Sequence, residues 1–368
     1  MMPDFNDVFL KEGAAAVATT IDAARPVHMA ILGDHLSLAR SVINKIHRQN
    51  LLATSSHVWM WKNTGVWRSS ADREIKQIVQ NTLSLMGEKI TRSLVDAVTD
   101  ILKTEIFNAN HKWDCRSDII NVANGELHWN GSTFVLHPHR RENFCLTQIP
   151  AIYDPHATSP RFIQFLFEIF EGDVDCWAKM TALLELIGYS LCSHTRFERF
   201  AILIGRGANG KSVVLELIRL LLGAENVSAV QPSQFSNRFQ RAHLHLKLAN
   251  IVTEIAEGAE IADAELKAIV SGEGITCEDK HKPPFEIYPF CTLWIGTNHM
   301  PHSRDFSDAL FRRALILPFN RTFVSGVNAD PLLRDKLAGE LSGILNMALA
   351  SYAGVLQRGT FTDDPAAI

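Results

Sequence analysis

The chain has 368 residues, 46% hydrophobic and 21% charged, with a formal net charge of −4 and a pI near 6.4. This is the make-up of a globular protein with room for more than one domain, and it excludes a globally basic nucleic-acid binder, so any basic surface must be local. Six cysteines without a C-x-x-C pair predict reduced thiols in a cytoplasmic protein, and no run approaches the roughly 18 apolar residues of a membrane span.

Residues 1–45 read as a loosely ordered lead-in and the start of a helix, with Leu36, Ala39, Val42, Ile43 and Ile46 at helical spacing. A helical domain with β-hairpins is expected over residues 46–175. Val58–Lys62 and Val66–Arg68 flank Asn63-Thr64-Gly65 as strands around a turn. Trp59, Trp61 and Trp67 beside Lys62 and Arg68 could stack bases, but packing over a small core is the favoured reading. Asp72 reads as an N-cap, and amphipathic helix continues to about Phe107. Asn124-Gly125 and Asn130-Gly131, set between short alternating runs, predict two more hairpins. His137 and His139 have no further ligand at metal spacing, so a metal is not expected there. Phe162–Glu171 and Cys176–Leu191 read as core helices.

The stretch Gly205-Arg206-Gly207-Ala208-Asn209-Gly210-Lys211-Ser212 fits the phosphate-binding pattern G-x-x-x-x-G-K-[ST]. An uncharged apolar strand precedes it, Phe200–Ile204. A helix follows to Leu222, with Gly223 placed to end it. Glycines let the loop curl its N–H groups onto phosphate oxygens, and the helix presents its positive end to the same anion. Lys211 would reach the β- and γ-phosphates of ATP and Ser212 would hold Mg²⁺.

Three features follow in the order a triphosphate-hydrolysing core needs. Leu248–Glu254 is a β-prone run ending in an acid; on a second strand beside the loop, Glu254 would activate water, with Glu257 in reserve. Cys291–Asn298 is a strand ending in an amide able to position water and sense the γ-phosphate. Arg312-Arg313 precede the apolar run Ala314–Phe319, and one of these guanidiniums could stabilise transferring phosphoryl charge. Between them, Ile275–Ile287 reads as a hairpin with Lys280, His281 and Lys282 at its tip, able to follow a phosphodiester backbone or to be a solvated turn.

From about Trp59 to Phe323 these elements resemble superfamily 3 helicases, in particular the helicase part of phage, plasmid and large DNA virus primase-helicases. Alongside the phosphate loop, the resemblance rests on Thr253-Glu254, on Lys267 with Ser271-Gly272, on Gly296–Pro301, and on Arg312-Arg313 before Leu317-Pro318-Phe319. Upstream it rests on Asn124-Gly125, Tyr153-Asp154-Pro155 and Ile187-Gly188-Tyr189. The resemblance implies an α/β fold: an AAA+-like ATPase core with a central parallel sheet over 176–330, after a mostly helical domain and before a C-terminal helix and tail, 331–368. It implies a ring homo-oligomer, a hexamer, that translocates on single-stranded or forked DNA. Asn298 would be the sensor, Arg313 (or Arg312) the arginine that completes a neighbour's site, and Lys280–Lys282 the DNA-tracking hairpin. The chain departs from the family in having Thr253 where an acid is usual and Glu273 where Asp is usual. No primase segment is legible before residue 57, so a separate primase is an expected partner and a shortened remnant an alternative. An ATP-assembled origin-loading platform and a small-substrate kinase are the rival functions.

Overall fold

The computed structural model describes residues 34–54, 57–62, 64–111, 113, 119–255, 258, 260–280, 283–300, 312–324 and 326–362. The chain forms two compact units: Met1–Met60 with Ser69–His111, and Trp61–Arg68 with Lys112–Ile368.

In the first unit, helices α1 (His35–Ile46), α2 (Asp72–Leu85) and α3 (Arg92–Glu105) pool their apolar faces. Ala39, Val42 and Ile43 of α1 are buried with Val79 and Leu83 of α2 and Val98 and Leu102 of α3. The start of α1 is fixed by Asp34, whose carboxylate accepts from the Ser37 N–H at 2.8 Å, and that of α3 by Thr91, whose hydroxyl accepts from Leu94. Strand β1 (Leu51–Ala53) pairs antiparallel with β2 (Val58–Lys62), Leu51 opposite Met60, and β3 (Val66–Ser70) completes a three-stranded sheet.

Three more sheets lie among the described residues after 118. Strands β4 (Ile119–Val122), β5 (Gly125–Trp129) and β6 (Phe134–His137) form an antiparallel meander. Its first turn falls on Ala123-Asn124, one residue ahead of the expected Asn-Gly turn, because Gly125 pairs with Val122 as the first residue of β5. A side chain at Gly125 would meet the His137 carbonyl at 2.5 Å, so glycine is there for close packing instead of for a turn. Trp67 packs as the core reading expects: it is 2% exposed, stacks on Phe144 at 5.7 Å, and donates its indole N–H to the Arg141 carbonyl.

The larger sheet is all parallel, in the order β13 (Ala314–Pro318), β7 (Phe200–Ile204), β12 (Thr292–Thr297), β9 (Ala249–Val252), β8 (Val227–Ser228). Numbered by chain order within the sheet, this is 5-1-4-3-2. The chain is therefore an α/β protein with a central parallel sheet. Helices α4 (Pro160–Ile169), α5 (Cys176–Tyr189) and α6 (Lys211–Leu222) pack on it. The short α7 (Arg238–Arg241) and α8 (Asp263–Ser271) precede the antiparallel hairpin β10 (Ile275–Cys277) and β11 (Phe285–Ile287), and α9 (Leu333–Ala338) and α10 (Leu341–Arg358) close the unit.

The compact units divide near residue 111. The stretch 119–175, expected with the N-terminal domain, shares its core with the parallel sheet: Phe162, Phe165, Leu166 and Ile169 cluster with Ala201, Leu203 and Val214. Residues 331–362 join the same unit because α10 lies against α5, and Tyr352 is buried beside Tyr189 with ring centroids 6.1 Å apart.

Candidate functional site

The loop Gly205–Ser212 runs from the C-terminal end of β7 into α6, as the strand–loop–helix pattern predicts, and α6 stops at Gly223. Residue type sets its path. Gly210 has φ +93°, and a Cβ there would lie 2.7 Å from the Ile169 side chain. Ala208 takes φ +56°, held by its carbonyl, which accepts from the Phe323 N–H at 2.7 Å. The Gly205 N–H donates to the Thr297 carbonyl at 3.2 Å, so the loop is laced to the end of the neighbouring strand β12.

Lys211 opens α6 and is buried, and its ammonium is spread over three oxygens. It donates to the Gly205 carbonyl, to Asn209 Oδ1 at 3.2 Å and to Asn298 Oδ1 at 3.3 Å. Burial holds its pKa below the usual lysine value, while the Glu254 carboxylate opposes that shift. Asn209 is itself 3% exposed, and its Nδ2 donates to the Phe319 carbonyl at 3.2 Å. Asn298, immediately after β12, turns its Nδ2 to Glu254 Oε1 at 3.4 Å. Three residues far apart in sequence thus form one hydrogen-bonded chain, Lys211–Asn298–Glu254.

Glu254 lies two residues beyond β9, and β9 is not beside the loop strand. Strand β12 lies between them, so the acid reaches the loop across Asn298. The expectation of Glu254 on the adjacent strand is corrected accordingly. Gln231 Nε2, which no sequence signal singled out, donates to the Glu254 carbonyl at 3.2 Å and fixes the acid's backbone. Arg206, Gly207, Ala208 and Ser212 face solvent.

The arginine pair lies elsewhere. Arg312 and Arg313 precede β13, and because β13 and β7 run parallel, they sit at the N-terminal end of the sheet, opposite the loop. Arg313 is 14% exposed and pairs with Glu198, its Nη2 2.6 Å and its Nε 2.8 Å from Oε2. It also reaches the Ser271 hydroxyl at 3.4 Å. Arg312 is exposed. Glu198, at φ +50°, is the residue most clearly missed by sequence reasoning. A glutamate ahead of an apolar strand carries no signal that it will clamp an arginine more than a hundred positions away. The predicted basic hairpin forms, with Cys277 opposite Phe285 and Lys280 exposed in its loop; His281, Lys282 and Glu257 lie outside the described residues. Among the described residues no three His, Cys, Asp or Glu side chains gather as a metal site, and no helix is long and apolar enough to cross a membrane.

Two families match in tandem. The one described as "D5 N terminal like" matches residues 40–171, and a "Family of unknown function (DUF5906)" matches residues 203–313. Viral proteins are similar to parts of the chain as well. The protein "Putative helicase 184R" of Invertebrate iridescent virus 6 is 23% identical over 297 residues, 72% of this chain. The "Putative helicase L207/L206" of Acanthamoeba polyphaga mimivirus is 26% identical over 159 residues, 41% of this chain. These matches support a relationship to the phage and viral primase-helicase family. The matched regions span 29% and 17% of the lengths of those two relatives. The fold of the chain is also that of the apo NrS-1 C-terminal region, with a TM-score of 0.57 at 14% identity over 90% of this chain and 75% of that one.

Proposed function

We propose that this chain is the motor of an ATP-dependent DNA helicase of the superfamily 3 type, working as a ring on single-stranded or forked DNA during replication of a mobile element. The observation that carries the reading is the Lys211–Asn298–Glu254 chain at the C-terminal edge of a parallel sheet, where α/β folds bind ligands. The loop N–H groups and the positive end of α6 would hold the triphosphate, and Lys211 would exchange its present carbonyl and amide partners for β- and γ-phosphate oxygens. Glu254, released from Asn298, would accept the proton of the attacking water, and Asn298 would then report the presence of the γ-phosphate.

The donor set fits a Mg²⁺ carried in with ATP, not a resident ion. Ser212 and Glu254 offer two protein oxygens, and Mg²⁺ takes its remaining ligands from water and phosphate. When bound, the ion would neutralise charge on the transferring phosphoryl group. Arg313, with Arg312 as the alternative, would complete the site of the neighbouring subunit, which agrees with its place at the far end of its own sheet. The exposed Lys280, with His281 and Lys282, would contact DNA backbone, and a separate primase would act alongside.

The test is ATP turnover with and without single-stranded DNA, together with unwinding of a forked duplex and sizing of the oligomer. Lys211→Ala is expected to lose ATP binding. Glu254→Gln is expected to bind ATP but lose turnover by a factor of about 10² or more. Unwinding that survives in either variant, or turnover indifferent to DNA in a persistent monomer, would refute the reading. An assembly platform would keep its DNA function in Glu254→Gln.

A further inference from the structure

A cavity of about 450 Å³ lies within the first unit, where the end of β3, the first turn of α2 and the last turn of α3 meet. Ser70, Asp72, Ile75, Lys103 and Phe107 stand in its wall, and no residue of Gly205–Ser212 does. Part of the wall is core surface, from Ala53, Val58 and Ile75. Phe107 differs from these in being 52% exposed, a phenyl ring that packing does not cover.

Three donors of different kinds meet this cavity. Ser70 is 7% exposed, and its buried hydroxyl has no hydrogen-bond partner among the described residues. An unpartnered hydroxyl in the interior costs free energy, so its retention in a cavity wall points to a ligand that satisfies it. Two residues on, the 14-residue helix α2 begins. Its N-cap, Ala71, brings no side-chain acceptor, so the positive end of the helix is open to an anion. Lys103 arrives from α3, its ammonium 2.5 Å from the carboxylate of Asp72, the first residue of α2.

Asp72 is the one carboxylate in the wall among the described residues, and it is held twice. Lys76, on the same helix, lies 3.1 Å from it, so Lys103 can turn to a ligand without leaving the acid unpaired. An ammonium, a hydroxyl and a helix end, each from a separate element position, suit the several oxygens of a phosphate. The cavity is in the size range of small-molecule sites and larger than a phosphate alone needs. An exposed aromatic face beside apolar surface suits a flat ring joined to that phosphate.

We propose that this cavity binds a nucleoside monophosphate unit, its phosphate on Ser70, Lys103 and the first turn of α2, and its base against Phe107. A free nucleotide and the phosphorylated end of a strand carry the same chemistry. The proposal stands apart from the nucleotide reading of Gly205–Ser212.

Calorimetric titration of the full chain with thymidine 5′-monophosphate, thymidine, inorganic phosphate and a short 5′-phosphorylated oligothymidylate tests it. Each titration is repeated in Lys211→Ala, so that the phosphate loop is not the reporter. The monophosphate is expected to bind both chains alike, and thymidine to bind more weakly. Lys103→Gln and Ser70→Ala are each expected to weaken the monophosphate about tenfold, as loss of one hydrogen bond to a charged group does. Ser70→Ala should do so at an unchanged or raised Tm, because it removes an unpaired buried hydroxyl; a merely structural serine would lower it. Phe107→Leu is expected to weaken the monophosphate and leave inorganic phosphate unchanged. Asp72→Asn is expected to tighten the monophosphate, since it releases Lys103 and removes a like charge. Tighter binding of the oligothymidylate than of the monophosphate would assign the site to a strand end, and the reverse to a free nucleotide. Binding that vanishes in Lys211→Ala belongs to the phosphate loop and overturns the proposal. So does a monophosphate affinity unchanged in both Lys103→Gln and Ser70→Ala, or one weakened by Asp72→Asn.

Discussion

At the scale of single residues, the two arginines of the Arg312-Arg313 pair are physically distinct although the sequence presents them as equals. Arg313 is held in a partly exposed ion pair by Glu198, a contact worth about 1 kcal/mol, whereas Arg312 extends into solvent. Arg313→Ala is therefore expected to lower unfolding free energy by about 1 kcal/mol, and Arg312→Ala to stay within about 0.5 kcal/mol of wild type, as read from urea denaturation. The path of the loop Gly205–Ser212 was legible from the sequence because its determinants are local: an apolar strand, three glycines and a helix start follow one another. Glu198 and Gln231 were not, because each acts through a partner brought close only by the sheet.

Among the elements, sequence periodicity located β7, α6, β12 and the basic hairpin closely, since each has one dominant environment. It missed the register of the first meander turn, where the Asn-Gly signal was outweighed by the need for a bare backbone at Gly125 against the His137 carbonyl. A similar demand is made where α5 meets α10. A Cβ on Gly188 would lie 2.3 Å from the Ala348 carbonyl and 2.5 Å from Tyr352 Cβ. Alanine in an exposed helix is favoured over glycine by about 1 kcal/mol, but here the collision is with backbone and outweighs that gain. Gly188→Ala is expected to destabilise by about 1–3 kcal/mol, seen as a lowered Tm in a thermal melt.

For the whole molecule, composition correctly indicated a chain with room for more than one compact unit, yet it did not show that the division falls near residue 111. The assignment of 119–175 depends on which core its apolar stripe enters, and periodicity reports only that a stripe exists. The same core carries a pH dependence. His194 is pushed down to about 4 by burial, with Arg196 adding to the effect, and its Nε2 lies 3.0 Å from the Tyr352 hydroxyl. Its folded pKa is below the unfolded value of about 6.5, so between the two the unfolded chain binds the extra proton. Stability contributed by this group is complete above about pH 6.5 and is lost as pH falls toward 4, by up to about 3 kcal/mol. Denaturant midpoints measured across that range should decline with acidity, and His194→Gln should flatten the decline.

The parallel direction of β7 and β13 has one more consequence. All five strands point the same way, so the loop and Arg313 are separated by the length of a five-residue strand, about 17 Å, and no side-chain motion can bridge it. On the proposed reading, a newly made chain on its own is a safe chain. It would load fuel but not burn it until another copy arrived, a restraint that would follow from the direction of the strands alone.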